Sequence, residues 1–103
     1  MESILQKDKK RCFLCGEPEY WNDNGMPERL EEHHVFGGSN RKHSEKYGLK
    51  VYLHGEKCHR NGKGSAHKNK AVRLALQAAA QKRFEEVHGS HEEFMRIFGK
   101  NFL

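Results

Sequence analysis

Two cysteines three positions apart, Cys12 and Cys15, and a later His54-x-x-x-Cys58 spacing restrict this chain more than any other feature. Two sulfurs on one tight turn can share a tetrahedral ion, and a second pair on another turn can close on it. An odd number of cysteines argues against a closed disulfide framework, and in a reducing compartment thiolates hold metal or stay free. Cys12, Cys15, Cys58 and one nitrogen therefore form a candidate structural zinc site. His54 is the first choice for the nitrogen, with His59 or a water as substitutes. The plainer alternative makes Cys58 and His54 ordinary residues beside an unrelated pair, since free cysteine behaves as a small buried hydrophobe.

Size and composition favour the metal. The chain has 103 residues, 35% hydrophobic and 32% charged. A single domain of that size buries too little apolar surface to be comfortable without a staple. One domain over residues 1–103 is expected, with 1–10 frayed, 11–70 as the zinc-stapled core and 71–103 as a helical extension. No apolar run approaches the roughly 20 residues that span a bilayer, and Met1–Lys10 lacks the apolar centre of a secretory signal. A cytoplasmic protein with no membrane partner is expected.

The patterning predicts an α+β fold. Glu17–Arg29 holds both prolines and an Asn24-Gly25 turn, so it reads as a loop. Its Tyr20 and Trp21 either pack beneath it or contact a ligand. Leu30–Phe36 is a short candidate strand ended by Gly37-Gly38, and Leu49–Leu53 is a second. Between them, Ser39 or Asn40 is placed to cap a helical piece reaching Tyr47, and Gly48 sits where a left-handed residue is wanted. Ser65 is placed to cap a long helix from Ala66 to Val87, with Val72, Leu76, Ala79, Ala80, Phe84 and Val87 on its apolar side. Ser90 and Glu93 form a capping box for a last short helix closed by Gly99.

The net charge of +5 conceals a division along the chain. Residues 1–40 hold five Lys or Arg against eight Asp or Glu, residues 41–83 hold twelve against two, and the last twenty hold two against four. Such a concentrated positive segment suits a polyanion. Lys42, Lys46, Arg60, Lys63, Lys68, Lys70 and Arg73 are the expected phosphate contacts, with DNA as the partner and little base reading. A solvated basic helix without a ligand is the simpler explanation of the same charges.

Eight histidines exceed what one zinc site needs. His43, His88 and His91 stand in polar, helix-flanking contexts and are expected to be exposed or to cap. His33 and His34 are different, because two imidazoles lie side by side on a short strand just ahead of the basic segment. Phosphodiester hydrolysis needs a cation beside the phosphate and a base for the attacking water. Adjacent histidines can divide those tasks, one binding metal and the other acting as base near its ordinary pKa of about 6.5. His59 and His67 are candidates for the remaining ligands or for phosphate contacts. On one continuous helix they would stand about 12 Å apart and could not share an ion. A loop at Asn61, Gly62 and Gly64 would bring them together.

The order Cys12-x-x-Cys15, His33-His34 with Gly37-Gly38, and a strand leading into Cys58-His59 resembles the zinc-knuckle HNH endonucleases. The resemblance runs from Arg11 to about Lys70, and the sequence from Glu92 to Leu103 is similar to the tail of short HNH-like proteins of bacteriophages and prophages. It implies a ββα-metal finger with a long C-terminal helix and a short terminal one. It also implies a metal-dependent endonuclease, with His33 and His59 as ligands of a catalytic Mg²⁺, Mn²⁺, Ni²⁺ or Zn²⁺ and His34 as general base. His67 lies beyond the mapped positions and remains a ligand candidate from spacing alone. Two departures stand out. The family's middle asparagine is not found near Leu49, with Asn40 the nearest preceding one, and the second Cys-x-x-Cys is replaced by His54-x-x-x-Cys58. Two alternatives to an enzyme remain: a zinc-stapled module that binds nucleic acid or inhibits a partner, and a regulatory protein whose acidic N-terminal part docks. A homodimer would supply the two sites that a double-strand break needs.

Overall fold

The computed structural model describes residues 1–60 and 64–103, the side chain of Arg60 excepted. The Arg60 and Lys63 phosphate contacts and the Asn61-Gly62 link lie outside the described residues. The fold is α+β, with two small two-stranded sheets and three α-helices among the described residues.

The first sheet pairs β1 (Tyr20–Trp21) with β2 (Pro27–Glu28) in a hairpin that the sequence read as loop. The Asn22 side chain organises its turn by accepting from the amides of Asn24 (2.9 Å) and Met26 (3.0 Å), and Gly25 takes the required positive φ of 76°. The second sheet pairs β3 (Leu30–His34) with β4 (Lys50–His54), antiparallel, placing Leu30 opposite His54, His33 opposite Val51 and His34 opposite Lys50. β3 stops before Val35 and Phe36, both buried. Phe36 bends away because its amide donates to Ser44 Oγ (3.0 Å) and its carbonyl accepts from the same hydroxyl (2.8 Å). A buried serine thus satisfies both backbone groups at the end of the strand.

A 3₁₀ turn over Gly38–Asn40 leads into α1 (Arg41–Tyr47). Asn40 makes no cap bond, and its Nδ2 instead donates to the Phe98 carbonyl at 3.3 Å. Gly48 closes α1 with φ 71°, as the sequence predicts, and a second constraint fixes it there: an added Cβ would collide with the Glu2 carbonyl oxygen. The segment 4–6 is held against this part of the fold. The Ile4 amide donates to Gly48 O at 2.9 Å, the Tyr52 amide donates to Gln6 Oε1 at 2.8 Å, and Ile4 and Leu5 pack on the core. Edge backbone groups of the β4 region, unpaired on that side by β3, draw the segment in.

β4 runs into a wide π-type turn over Gly55–Arg60. The long helix, α2, spans Lys70–Val87 and begins four residues later than the sequence suggests. Its cap is Asn69, whose Oδ1 accepts from the Val72 amide at 3.1 Å. Ser65 serves a separate preceding turn, accepting from the Lys68 amide at its hydroxyl and from the Asn69 amide at its carbonyl. His67 therefore lies ahead of α2 and not in its first turn. Leu76, Ala80 and Phe84 are buried as expected and Val72 packs at the edge of the core, whereas Ala79 and Val87 are exposed. Gln81 takes an inward position instead. Its amide bonds Glu85 and Asn101, and its Oε1 accepts from the Phe102 amide at 2.6 Å.

The last helix, α3 (His91–Phe98), is capped by Ser90, which accepts from the Glu93 amide at 3.1 Å, and is closed by Gly99 at φ 79°. Phe94 and Phe98 stack with centroids 4.5 Å apart, and Phe36 reaches them and Phe102 from the end of β3. The strand carrying His33 and His34 is thereby anchored to the C-terminal helices through one aromatic cluster.

Candidate metal centres and the histidine cleft

Cys12, Cys15, His54 and Cys58 come together with their donor atoms mutually within 4.8 Å, a group that could hold a metal ion and is compatible with structural zinc. Each half is built locally. The Gly16 amide donates to Cys12 O (2.8 Å), Gly16 takes φ 77°, and the Cys15 amide points at Cys12 Sγ (3.5 Å), which makes a knuckle of the first pair. His54 is the last residue of β4, wholly buried, and its Nε2–H donates to the Pro18 carbonyl at 2.8 Å. That bond fixes the tautomer and aims the Nδ1 lone pair at the cluster, where Cys15 Sγ lies 3.3 Å away. The choice left open between His54 and His59 thus goes to His54. Burial raises the Cys12 pKa, but backbone amides at Cys15, His54 and Leu14 and the Cys58 thiol outweigh it and bring the thiol below its ordinary value. Burial and the neighbouring Cys12 push Cys58 upward. Four soft and borderline donors around one charge-poor centre are what a divalent ion would neutralise.

A second group, His33, His59 and His67, forms on the face of β3 that also carries Glu31. The means is a short backbone pairing: the Ala66 amide donates to Cys58 O (2.8 Å) and the His67 amide to His59 O (3.1 Å). These two bonds set His59 beside His67 despite their eight-residue separation. Ring centroids are 4.7 Å apart for His59 and His67, 4.9 Å for His33 and His59, and 5.5 Å for His33 and His67. His59 Nδ1–H donates to Glu31 Oε1 at 3.1 Å, leaving its Nε2 lone pair for a ligand role. Burial, then the neighbouring imidazoles His59, His67 and His34, lowers the His33 pKa to about 4, so this ring is neutral at pH 7. A neutral imidazole is the form that binds metal. Three imidazole nitrogens around one ion would leave room for a fourth ligand.

His34 points to the opposite face of β3. Its Nε2–H donates to Glu45 Oε2 (2.9 Å), and Glu32 Oε1 lies 3.3 Å away. Lys50, across the strand pair and only 6% exposed, contributes Nζ at 3.0 Å from Glu45 Oε2 and 3.4 Å from Glu32 Oε2. Hydrogen bonds from His34 and then Lys50 lower the Glu45 pKa to about 2, and the carboxylates keep Lys50 charged despite its burial. The three carboxylate and imidazole side chains also meet the spacing of a metal group. The ammonium already stands against both carboxylates, however, and a cation there would have to displace it.

The two faces meet around the turn after β3. Glu32, His33, His34, Gly37, Gly38, Arg41, His59 and His67 line one cavity of about 330 Å³, and a larger one of about 700 Å³ shares Glu32, His34, Gly38 and Arg41 and adds Lys42 and Glu45. Lys42 thus borders the cleft, and Lys68 and Lys70 are exposed. Two expected phosphate contacts have partners inside the fold: Lys46 Nζ sits over the Tyr47 ring at 5.3 Å, and Arg73 Nη1 donates to the His67 carbonyl at 3.3 Å. His88 and His91 bond Tyr47 O and Glu85, and His43 rests against Phe98, in keeping with structural roles.

Sequence reasoning missed Glu31, Glu45, Lys50 and Arg41. Alternation along Leu30–His34 would have put Glu31 with His33 and Glu32 with His34. Nothing in the chain's spacing signals Glu45 or Lys50, because both depend on register and on the path of α1. No helix among the described residues is long and apolar enough to cross a membrane. No protein-family model, curated protein or solved structure matches the chain.

Proposed function

We propose that this chain is a metal-dependent endonuclease of the HNH type, hydrolysing DNA phosphodiester bonds with low sequence specificity on a zinc-stapled ββα-metal scaffold. The observation that carries the reading is the convergence of His33, His59 and His67 in the same cleft that His34 lines. Cys12, Cys15, His54 and Cys58 would hold the structural Zn²⁺. His33, His59 and His67 would hold a catalytic Mg²⁺, Mn²⁺, Ni²⁺ or Zn²⁺, which when bound supplies positive charge to the phosphate and leaving oxygen.

The chain's own residues account for the rest. His34 takes a proton from water at Nδ1, the ring nitrogen not bonded to Glu45, as the water oxygen attacks phosphorus and the P–O bond to the leaving oxygen breaks. Arg41 and Lys42, at the rim of the cleft, orient the phosphate, with Lys68 and Lys70 adding salt-dependent affinity. The alternative is a zinc-stapled module that binds nucleic acid or inhibits a partner without cutting. Glu31, Glu32 and Glu45 border the histidines and weaken the local attraction for a polyanion.

Supercoiled plasmid incubated with Mg²⁺, Mn²⁺ or Ni²⁺ separates the two readings. The expected result is nicking that EDTA abolishes and that His34→Ala slows at least about 100-fold while DNA binding persists. Binding without cleavage under any of these ions would favour the non-catalytic module. Equal cutting by the variant would remove His34 as the base.

A further inference from the structure

We infer that Glu45 is a positioning residue for His34, holding its ring by Nε2 so that Nδ1 is the nitrogen left to take a proton, with Lys50 holding Glu45 in turn. The inference rests on the nuclease reading above and adds to it the group that orients the base.

Three elements converge to make the arrangement. His34 comes from β3, Glu45 from the middle of α1, and Lys50 from β4, directly opposite His34 in the ladder. Glu45 Oε2 accepts from both His34 Nε2 (2.9 Å) and Lys50 Nζ (3.0 Å), while its Oε1 accepts a second, longer contact from Lys50 (3.2 Å). Glu32 completes the ring of contacts, with Oε1 at 3.3 Å from His34 and Oε2 at 3.4 Å from Lys50. A carboxylate cannot donate when ionised, so its bond to Nε2 requires the proton there, and in the neutral ring the lone pair is then on Nδ1. The same carboxylate is placed to stabilise the imidazolium that forms when Nδ1 takes a proton, the role an orienting carboxylate plays beside a catalytic histidine. Lys50 is buried and doubly paired, so it restrains the carboxylate without competing for Nδ1.

Glu45 is itself exposed, so substituting it opens no cavity in the core. The test compares wild type, Glu45→Ala and Glu45→Gln by single-turnover cleavage over a range of DNA concentrations and by nitrogen-15 NMR of the histidine rings. The wild type is expected to show a slowly exchanging His34 Nε2–H. Glu45→Ala should lose that signal and about 10- to 100-fold in the cleavage rate, with DNA affinity within about twofold. Glu45→Gln, which keeps an acceptor but no charge, should restore the protected proton and only part of the rate. A Glu45→Ala rate within about twofold of wild type, or no protected Nε2–H in the wild type, would overturn the inference. The failure of the underlying reading looks different: a wild type that cuts nothing removes the nuclease and the positioning role together, whereas a wild type and a Glu45→Ala variant that cut equally remove Glu45 alone.

Discussion

At the residue scale, adjacency in the chain conceals opposition in space. His33 and His34 are neighbours in sequence, yet a strand turns successive side chains to opposite faces. His33, itself buried, joins two less buried imidazoles, and His34 joins carboxylates and an ammonium. The difference has a measurable consequence for His33. Its pKa is about 4 in the fold against an ordinary 6.5, so between these values the unfolded chain binds more protons than the folded one. Its contribution is complete above about pH 6.5 and declines as pH falls towards 4, by at most roughly 3 kcal/mol. Urea unfolding of protein carrying one equivalent of zinc should follow that decline, and His33→Asn should flatten it. A wild-type profile no steeper than the variant's would contradict the burial argument. The sequence singled out His33 and His34 ahead of a basic segment, with His59 and His67 as candidate partners, and the structure groups His33 with His59 and His67. The histidine that joins the three cysteines was not legible in the sequence, because His54 and His59 both stand close to Cys58 in the chain. Only the strand register and the Pro18 carbonyl tell them apart.

At the scale of elements, the cleft depends on how strands and helices end. The sequence reads both strands, α1 with its Gly48 closure, and α3 with its Ser90 cap. It misplaces the start of α2 because Ser65 satisfies a generic capping pattern. The amides of Ala66 and His67 are instead committed to the Cys58 and His59 carbonyls, a long-range pairing that local pattern cannot reveal. Ser44 is a similar case. The resemblance implies a bracing asparagine, whereas Asn40 bonds the end of α3 and a serine hydroxyl braces the turn after β3. Ser44→Ala would leave the Phe36 amide and carbonyl unsatisfied in the core. The expected cost is about 1–3 kcal/mol, read by chemical denaturation. A variant as stable as the wild type would show that the turn after β3 holds without the hydroxyl.

At the scale of the whole molecule, two donor clusters share one π-type turn, with Cys58 in the first and His59, the next residue, in the second. A soft, buried, sulfur-rich group suits a permanent ion, and an imidazole group with room for a further ligand suits an exchangeable one. Holding an ion in the first would fix the turn that presents His59 to the second, so the two clusters are mechanically linked. The most direct measurement is anomalous diffraction from zinc-containing crystals soaked in Mn²⁺ or Ni²⁺. Zinc is predicted among Cys12, Cys15, His54 and Cys58, and the soaked ion among His33, His59 and His67, with His34 outside its coordination sphere. A soaked ion bound by Glu32, His34 and Glu45, or none at the three histidines, would contradict the account, because His34 would then be a ligand and not the base.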